Sequence, residues 1–121
     1  MLETITIKAS KFDDERARAR EAEMILKKIN ADYFVIAMDE RGKQLTSPEF
    51  ADLIREKRDF GPGKIQFVIG GSHGLDDGVR KRANLVLGFS KMTFTHEMIR
   101  VFLKEQIYRA FTILVGKTYH K

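Results

Sequence analysis

The segment from Tyr33 to Met38 reads Tyr-Phe-Val-Ile-Ala-Met, six apolar residues with no polar alternation. A strand with one wet face would alternate, so this run suits a strand buried on both faces, as in a parallel sheet. Ile65 to Ile69 is a second such strand, ending abruptly at Gly70-Gly71. Leu2, Ile5 and Ile7, set among Thr4 and Thr6, and then Leu85 to Leu87, supply two shorter strands. Between the strands the apolar spacing becomes helical. Ala22, Ile25, Leu26 and Ile29 predict a helix over about 11–30, capped by Ser10, with acidic residues opening it and Lys27 and Lys28 closing it. Ser47 as N-cap and Pro48 at the first helical position start a second helix, whose buried face is Phe50, Leu53 and Ile54. Asp76 or Asp77 caps a short helix to about Asn84, and 97–115 is the last and longest. Asp39 to Gly42 reads as a polar turn and Gly61 to Gly63 as a loop. Strands alternating with helices predict an α/β fold: a parallel sheet with helices on both faces, in one domain over 1–121.

Composition narrows the function. No cysteine occurs among the 121 residues, which excludes disulfides and thiolate metal sites. His73, His96 and His120 are dispersed and no H-E-x-x-H is present, so no metal is expected. No G-x-S-x-G elbow marks a hydrolase. No apolar run approaches the roughly 20 residues needed to span a bilayer, and Met1 to Thr4 lacks the flank of a signal peptide. The expectation is a cytoplasmic protein with no membrane partner. The net charge of +5 points weakly to a polyanion. The last helix is apolar on more than one side of its cylinder. Val101, Tyr108 and Phe111 lie outside its main apolar face. Such a helix is buried on more than one side, by its own core or by a second subunit.

Three segments carry possible chemistry. Gly70-Gly71-Ser72-His73-Gly74-Leu75 follows a buried strand, where α/β sheets bind ligands and glycine admits close backbone approach. Alone, these glycines favour a plain strand-to-helix turn; they are neither G-x-G-x-x-G nor a P-loop. Phe89 to Glu97 is rich in hydroxyls, with Met and Phe interleaved, a composition that suits wrapping an adenine. The plainer reading is a loop in which Thr95 caps a helix. Lys117 to Lys121 combines cations with an aromatic ring and an imidazole, which suits phosphate contact and base stacking, although chain ends commonly fray. Glu105 and Arg109 have the spacing of a helix-surface ion pair.

Five motifs occur in order: Met38 to Gly42 with Ser47 to Ala51, Gly70 to Leu75, Ser90 to His96, Glu105 to Ala110, and Tyr119 to Lys121. Together they closely resemble the RlmH (YbeA-like) family, pseudouridine-N3 methyltransferases of 23S ribosomal RNA in the SPOUT superfamily. The resemblance runs from Leu2 to the end of the chain. It implies a SPOUT-type trefoil-knotted fold with its knot region at about 65–121, a homodimer, S-adenosyl-L-methionine as cofactor, and ribosomal RNA in the assembled ribosome as substrate. Knots are rare by general topological rules, so this expectation comes from the resemblance alone. Family members usually begin with a further strand and helix, which this sequence lacks. The missing strand is internal to the family's sheet, and the first strand here or a second chain is expected to fill its place.

The resemblance also assigns residues. Met38, Gly70, Phe89, Ser90, Lys91, Met92, Thr93 and Phe94 would bind the cofactor. His96, Arg100, Arg109 and Lys121 would face RNA. His120, Glu105 and Tyr119 would form the catalytic set, with His120 or Glu105 as the base that takes the N3 proton. Two alternatives stand beside this one. One is a truncated or engineered dimer that folds without turnover. The other is an RNA-binding module without cofactor, whose affinity would fall steeply with salt.

Overall fold

The computed structural model describes residues 2–6, 15–70, 75–116 and 119. Ile7, Ser10 and the expected first turn at 11–14 lie outside them, as do Gly71 to Gly74, Lys117, Thr118, His120 and Lys121. Eight elements follow in order: β1 (Leu2–Thr6), α1 (Glu15–Lys28), β2 (Phe34–Lys43), α2 (Ser47–Asp59), β3 (Ile65–Ile69), α3 (Asp77–Arg82), β4 (Leu85–Leu87) and α4 (His96–Leu114). The strands form one parallel sheet in the order β1-β3-β2-β4. β1 lies directly against β3, from Leu2 opposite Ile65 to Thr6 opposite Ile69. Among the described residues no strand stands between them, and the sheet is continuous from β1 to β4.

The apolar runs are explained by burial on two sides. Ile36 and Met38 of β2, with Ile65, Phe67 and Ile69 of β3, pack with Phe50 and Ile54 of α2 and Leu103 and Ala110 of α4. Val35, Ala37 and Val68 pack on the other face with Ala22 and Ile25 of α1 and Val79 of α3. Each fully buried large side chain contributes about 1.5–3 kcal/mol, so covering both faces outweighs any edge or one-sided arrangement. Gln66 interrupts the β3 run yet is buried. Its amide donates to the Lys28 carbonyl and accepts from the Asn30 N–H, both at 3.1 Å, tying the end of α1 to the sheet.

Two sequence expectations require correction. Asp39 to Gly42 is not a free turn: β2 continues through it to Lys43, with an irregularity that lets both Met38 and Lys43 pair with Leu87. The apolar pattern stops at Met38, but the backbone goes on pairing with β4, and the Gly88 N–H donates to the Lys43 carbonyl at 3.0 Å. The N-cap of α2 is Thr46, not Ser47. Thr46 Oγ1 accepts from the Glu49 N–H at 3.2 Å, and Glu49 returns a carboxylate to the Thr46 N–H at 2.8 Å. Thr46→Ala breaks half of this reciprocal pair and is expected to cost about 1 kcal/mol in urea unfolding. No change in midpoint would contradict the assignment.

Asp76 caps α3, which ends at Arg82, and Thr95 caps α4 by accepting from the Met98 N–H at 3.2 Å. The main apolar face of α4 joins the core through Leu103 and Ala110. Its outer stripe stays largely exposed among the described residues: Val101 is 64% exposed, Tyr108 58% and Val115 66%. Among the described residues, no helix is long and apolar enough to cross a membrane.

Candidate active site

Parallel register brings the strand ends level. Met38 pairs with Ile69 on one side and Leu87 on the other, so Asp39, Gly70 and Gly88 emerge at one edge of the sheet. Above that edge lies a cleft with two lobes. The smaller, about 240 Å³, is lined by Met38, Asp39, Glu40, Ile69 and Gly70 on one side. Its other side is the turn from Leu87 to Phe94, without Lys91, followed by His96 and Ile99 of α4. The larger, about 480 Å³, runs from Leu45, Thr46, Ser47 and Phe50 across to Phe102, Glu105 and Gln106 of α4. Leu87, Gly88, Phe89, Ser90 and Phe94 form a wall common to both.

Aromatic packing holds that wall. Phe102 takes Phe94 edge-on at 5.3 Å between centroids and Phe89 edge-on at 6.3 Å. Such pairs contribute roughly 0.5–1.5 kcal/mol beyond burial. The Ser90 hydroxyl accepts from the Met92 N–H at 3.0 Å, and the Thr93 hydroxyl donates to Glu40, so the tip of β2 reaches the opposite turn. Ser47 Oγ donates to Gln106 at 2.7 Å and fixes the start of α2 to α4 across the floor of the larger lobe.

At the far side of the larger lobe, Arg109 grips Glu105 through Nε at 3.0 and 3.3 Å and through Nη2. The Glu105 carboxylate accordingly raises the Arg109 pKa above its ordinary value. The Arg109 guanidinium lies 4.9 Å from the centre of the Tyr119 ring, and Tyr108 meets that ring edge-on at 4.8 Å. The Tyr119 hydroxyl donates weakly to Glu105 at 3.4 Å. The helix-surface ion pair expected from spacing therefore exists, but it sits on the rim of a cleft and gathers the one described residue of the C-terminal motif.

Asp39 is the most buried carboxylate of the site. Burial opposes its ionisation, yet Arg41 hydrogen-bonds it in a fork at 2.8 Å to each oxygen, and the Arg41 and Leu75 N–H groups donate to it. Together these hold its pKa at about 2, below the usual 3.8. A depressed folded-state pKa stabilises above the unfolded value and is lost as pH falls through the folded one. Between pH 4 and pH 2 the wild-type chain should lose about 2 kcal/mol more unfolding free energy than Asp39→Asn. Parallel pH profiles of the two in urea would count against this ionisation.

Seven of the eight residues expected to bind cofactor thus line one lobe: Met38, Gly70, Phe89, Ser90, Met92, Thr93 and Phe94. Lys91 belongs to the same turn but faces solvent. His96, expected toward RNA, also lines that lobe, Glu105 lines the other, and Arg109 and Tyr119 bond to Glu105. Arg100 is exposed on α4 and lines neither. His120 and Lys121 lie outside the described residues. Sequence reasoning missed Asp39 and Glu40, taken for turn residues, and the whole Leu45 to Phe50 wall. The available signals were an Asp directly after an apolar run with Arg two residues on, and the Met38 to Gly42 and Ser47 to Ala51 segments of the family resemblance.

A cleft at the carboxyl ends of a parallel sheet, beside a turn in strand order, is where α/β proteins of this class take small organic ligands. Residues 1–120 match the family described as "Predicted SPOUT methyltransferase". Its relatives include proteins named ribosomal RNA large subunit methyltransferase H. The one from Clostridium botulinum (strain Kyoto / Type A2) is 52% identical over 113 residues, 93% of this chain and 71% of that protein. Those from Trichlorobacter lovleyi and Caldicellulosiruptor saccharolyticus are each 52% identical, over 88% and 84% of this chain and 69% and 66% of theirs. The chain belongs to the SPOUT methyltransferase family, in its ribosomal RNA large subunit methyltransferase H branch.

Proposed function

We propose that this chain methylates N3 of a pseudouridine in 23S ribosomal RNA of the assembled ribosome, using S-adenosyl-L-methionine, as a knotted homodimer. The observation that carries the reading is the convergence of Met38, Gly70 and the Phe89 to Phe94 turn on one lobe, which shares a wall with a second lobe lined by Glu105. The names of the relatives support ribosomal RNA as the substrate. The chemistry of the smaller lobe fits the cofactor. Met38, Ile69, Leu87, Phe89 and Phe94 offer apolar surface to a purine, Ser90 and Thr93 offer hydroxyls to a ribose, and Glu40 offers negative charge to a cation.

The sulfonium of the cofactor supplies an already electrophilic methyl group. The remaining work is orientation, water exclusion and proton removal. Positioning of this kind supplies about 7–11 kcal/mol in favourable cases. The larger lobe, with Phe50, Phe89, Phe94 and Phe102 on its walls, takes the target base. Glu105 accepts the N3 proton there, and Arg109 holds its carboxylate in place. His120 is the other candidate for that proton, and His96, Arg100, Arg109 and Lys121 contact RNA phosphates. The exposed stripe of Val101, Tyr108, Phe111 and Val115 on α4 receives the second copy.

Calorimetric titration with S-adenosylhomocysteine is expected to give saturable binding at one site per chain. The solution mass is expected at twice the chain's 14.0 kDa. Labelled methyl groups should then appear on a pseudouridine of assembled ribosomes, read by mass spectrometry of nuclease digests. Absence of cofactor binding would end the proposal.

A further inference from the structure

Asp39 has neighbours that the methyl-transfer reading does not use. Its side chain is 1% exposed, held by the Arg41 fork, with Arg80 Nη1 3.7 Å away and the Leu75 N–H donating at 3.3 Å. Leu75 is held at its other polar group too: its carbonyl accepts from Arg41 Nη2 at 3.3 Å and from Arg80 Nη1. Its side chain is buried in the core beneath α1 and α3. Arg80 also pairs with Asp77, so its charge is balanced within α3. Three charged side chains from two elements therefore converge on one backbone unit, five residues after Gly70 leaves β3.

Stability alone is a poor reason for such a cluster. Desolvating these charges offsets most of their attraction, and an apolar cluster of equal volume would do as well. What the cluster adds is geometry. Asp39 and Gly70 both line the smaller lobe, and fixing Leu75 fixes the point to which the chain returns after Gly70. We propose that Asp39, with Arg41 and Arg80, is a positioning residue for the cofactor lobe, locking Leu75 to the tip of β2 so that the lobe is formed before ligand arrives. A preformed site avoids ordering costs on binding, so the effect belongs in cofactor affinity rather than in turnover. The inference rests on reading the smaller lobe as the cofactor lobe.

The test compares the full-length wild type with Asp39→Asn and Arg80→Gln. It uses titration with S-adenosylhomocysteine, kinetics on ribosomes, and amide hydrogen exchange at Leu75. Asp39→Asn is expected to weaken binding and raise the cofactor KM about tenfold, the scale of one lost buried charged hydrogen bond, with kcat within about twofold. The Leu75 amide should exchange faster while those of Phe67 and Val68 do not. Arg80→Gln should move the same quantities in the same direction by less, and it carries the test if Asp39→Asn does not fold. Wild-type affinity in a folded variant would overturn the proposal, as would faster exchange throughout the sheet. If the wild type binds no S-adenosylhomocysteine, the cofactor reading fails by itself. The clamp on Leu75 is then upheld by selective exchange at that amide and refuted by its absence.

Discussion

Glu105→Gln should lower the rate of methyl transfer on the order of 10²-fold while leaving affinity for S-adenosylhomocysteine unchanged. The substitution keeps the shape of the side chain at the rim of the larger lobe but removes its charge. Two things are lost together: a proton acceptor for the target nitrogen, and the anion that Arg109 grips through Nε and Nη2. With its partner neutral, Arg109 is held less firmly beside the Tyr119 ring, which it faces at 4.9 Å. Single-turnover incorporation at saturating cofactor measures the step directly. A rate within threefold of wild type would remove Glu105 from the chemistry and leave the rim pair as a helix-surface contact. A matching fall in S-adenosylhomocysteine affinity would place Glu105 with the cofactor rather than with the base.

The largest stability effect is expected at Gly42. A Cβ there would sit 2.6 Å from the Val86 carbonyl carbon and oxygen and 2.7 Å from the Leu87 nitrogen. All three are backbone atoms of a three-residue strand, so no side chain can swing away to make room. Relief requires β4 to retreat from β2, which breaks the pairing of both Met38 and Lys43 with Leu87. Gly42→Ala should therefore cost about 3 kcal/mol or more, at the upper end of overpacking effects. Because Leu87 leads directly into the shared wall of the two lobes, affinity for S-adenosylhomocysteine should fall with it. Urea unfolding checks the first expectation and calorimetry the second. An unchanged midpoint would contradict the close approach of β2 to β4 at Gly42.

Most of the architecture was legible because it is written in local patterns. The unbroken Tyr33 to Met38 run requires cover on both faces, and β2 has it. The cap of α2 was also legible: Thr46 and Glu49 stand three apart, as a reciprocal cap requires, whereas three residues after Ser47 stands Phe50, which cannot return a bond. The i,i+4 spacing of Glu105 and Arg109 was enough to foresee their bond but not the cleft beside it.

What the chain alone determined, then, is where strands and helices lie, which faces they bury, and that its glycine-bearing and hydroxyl-bearing turns follow strand ends. Only the tertiary structure decided that β2 runs on to Lys43, that Leu75 is bound to Asp39, and that the Leu45 to Phe50 segment walls a second lobe. The physical reason is range. Periodicity and capping act over a few residues and leave a mark at each one. Pairing across a sheet and ion clusters join residues more than thirty positions apart, and either partner by itself looks like an ordinary polar turn.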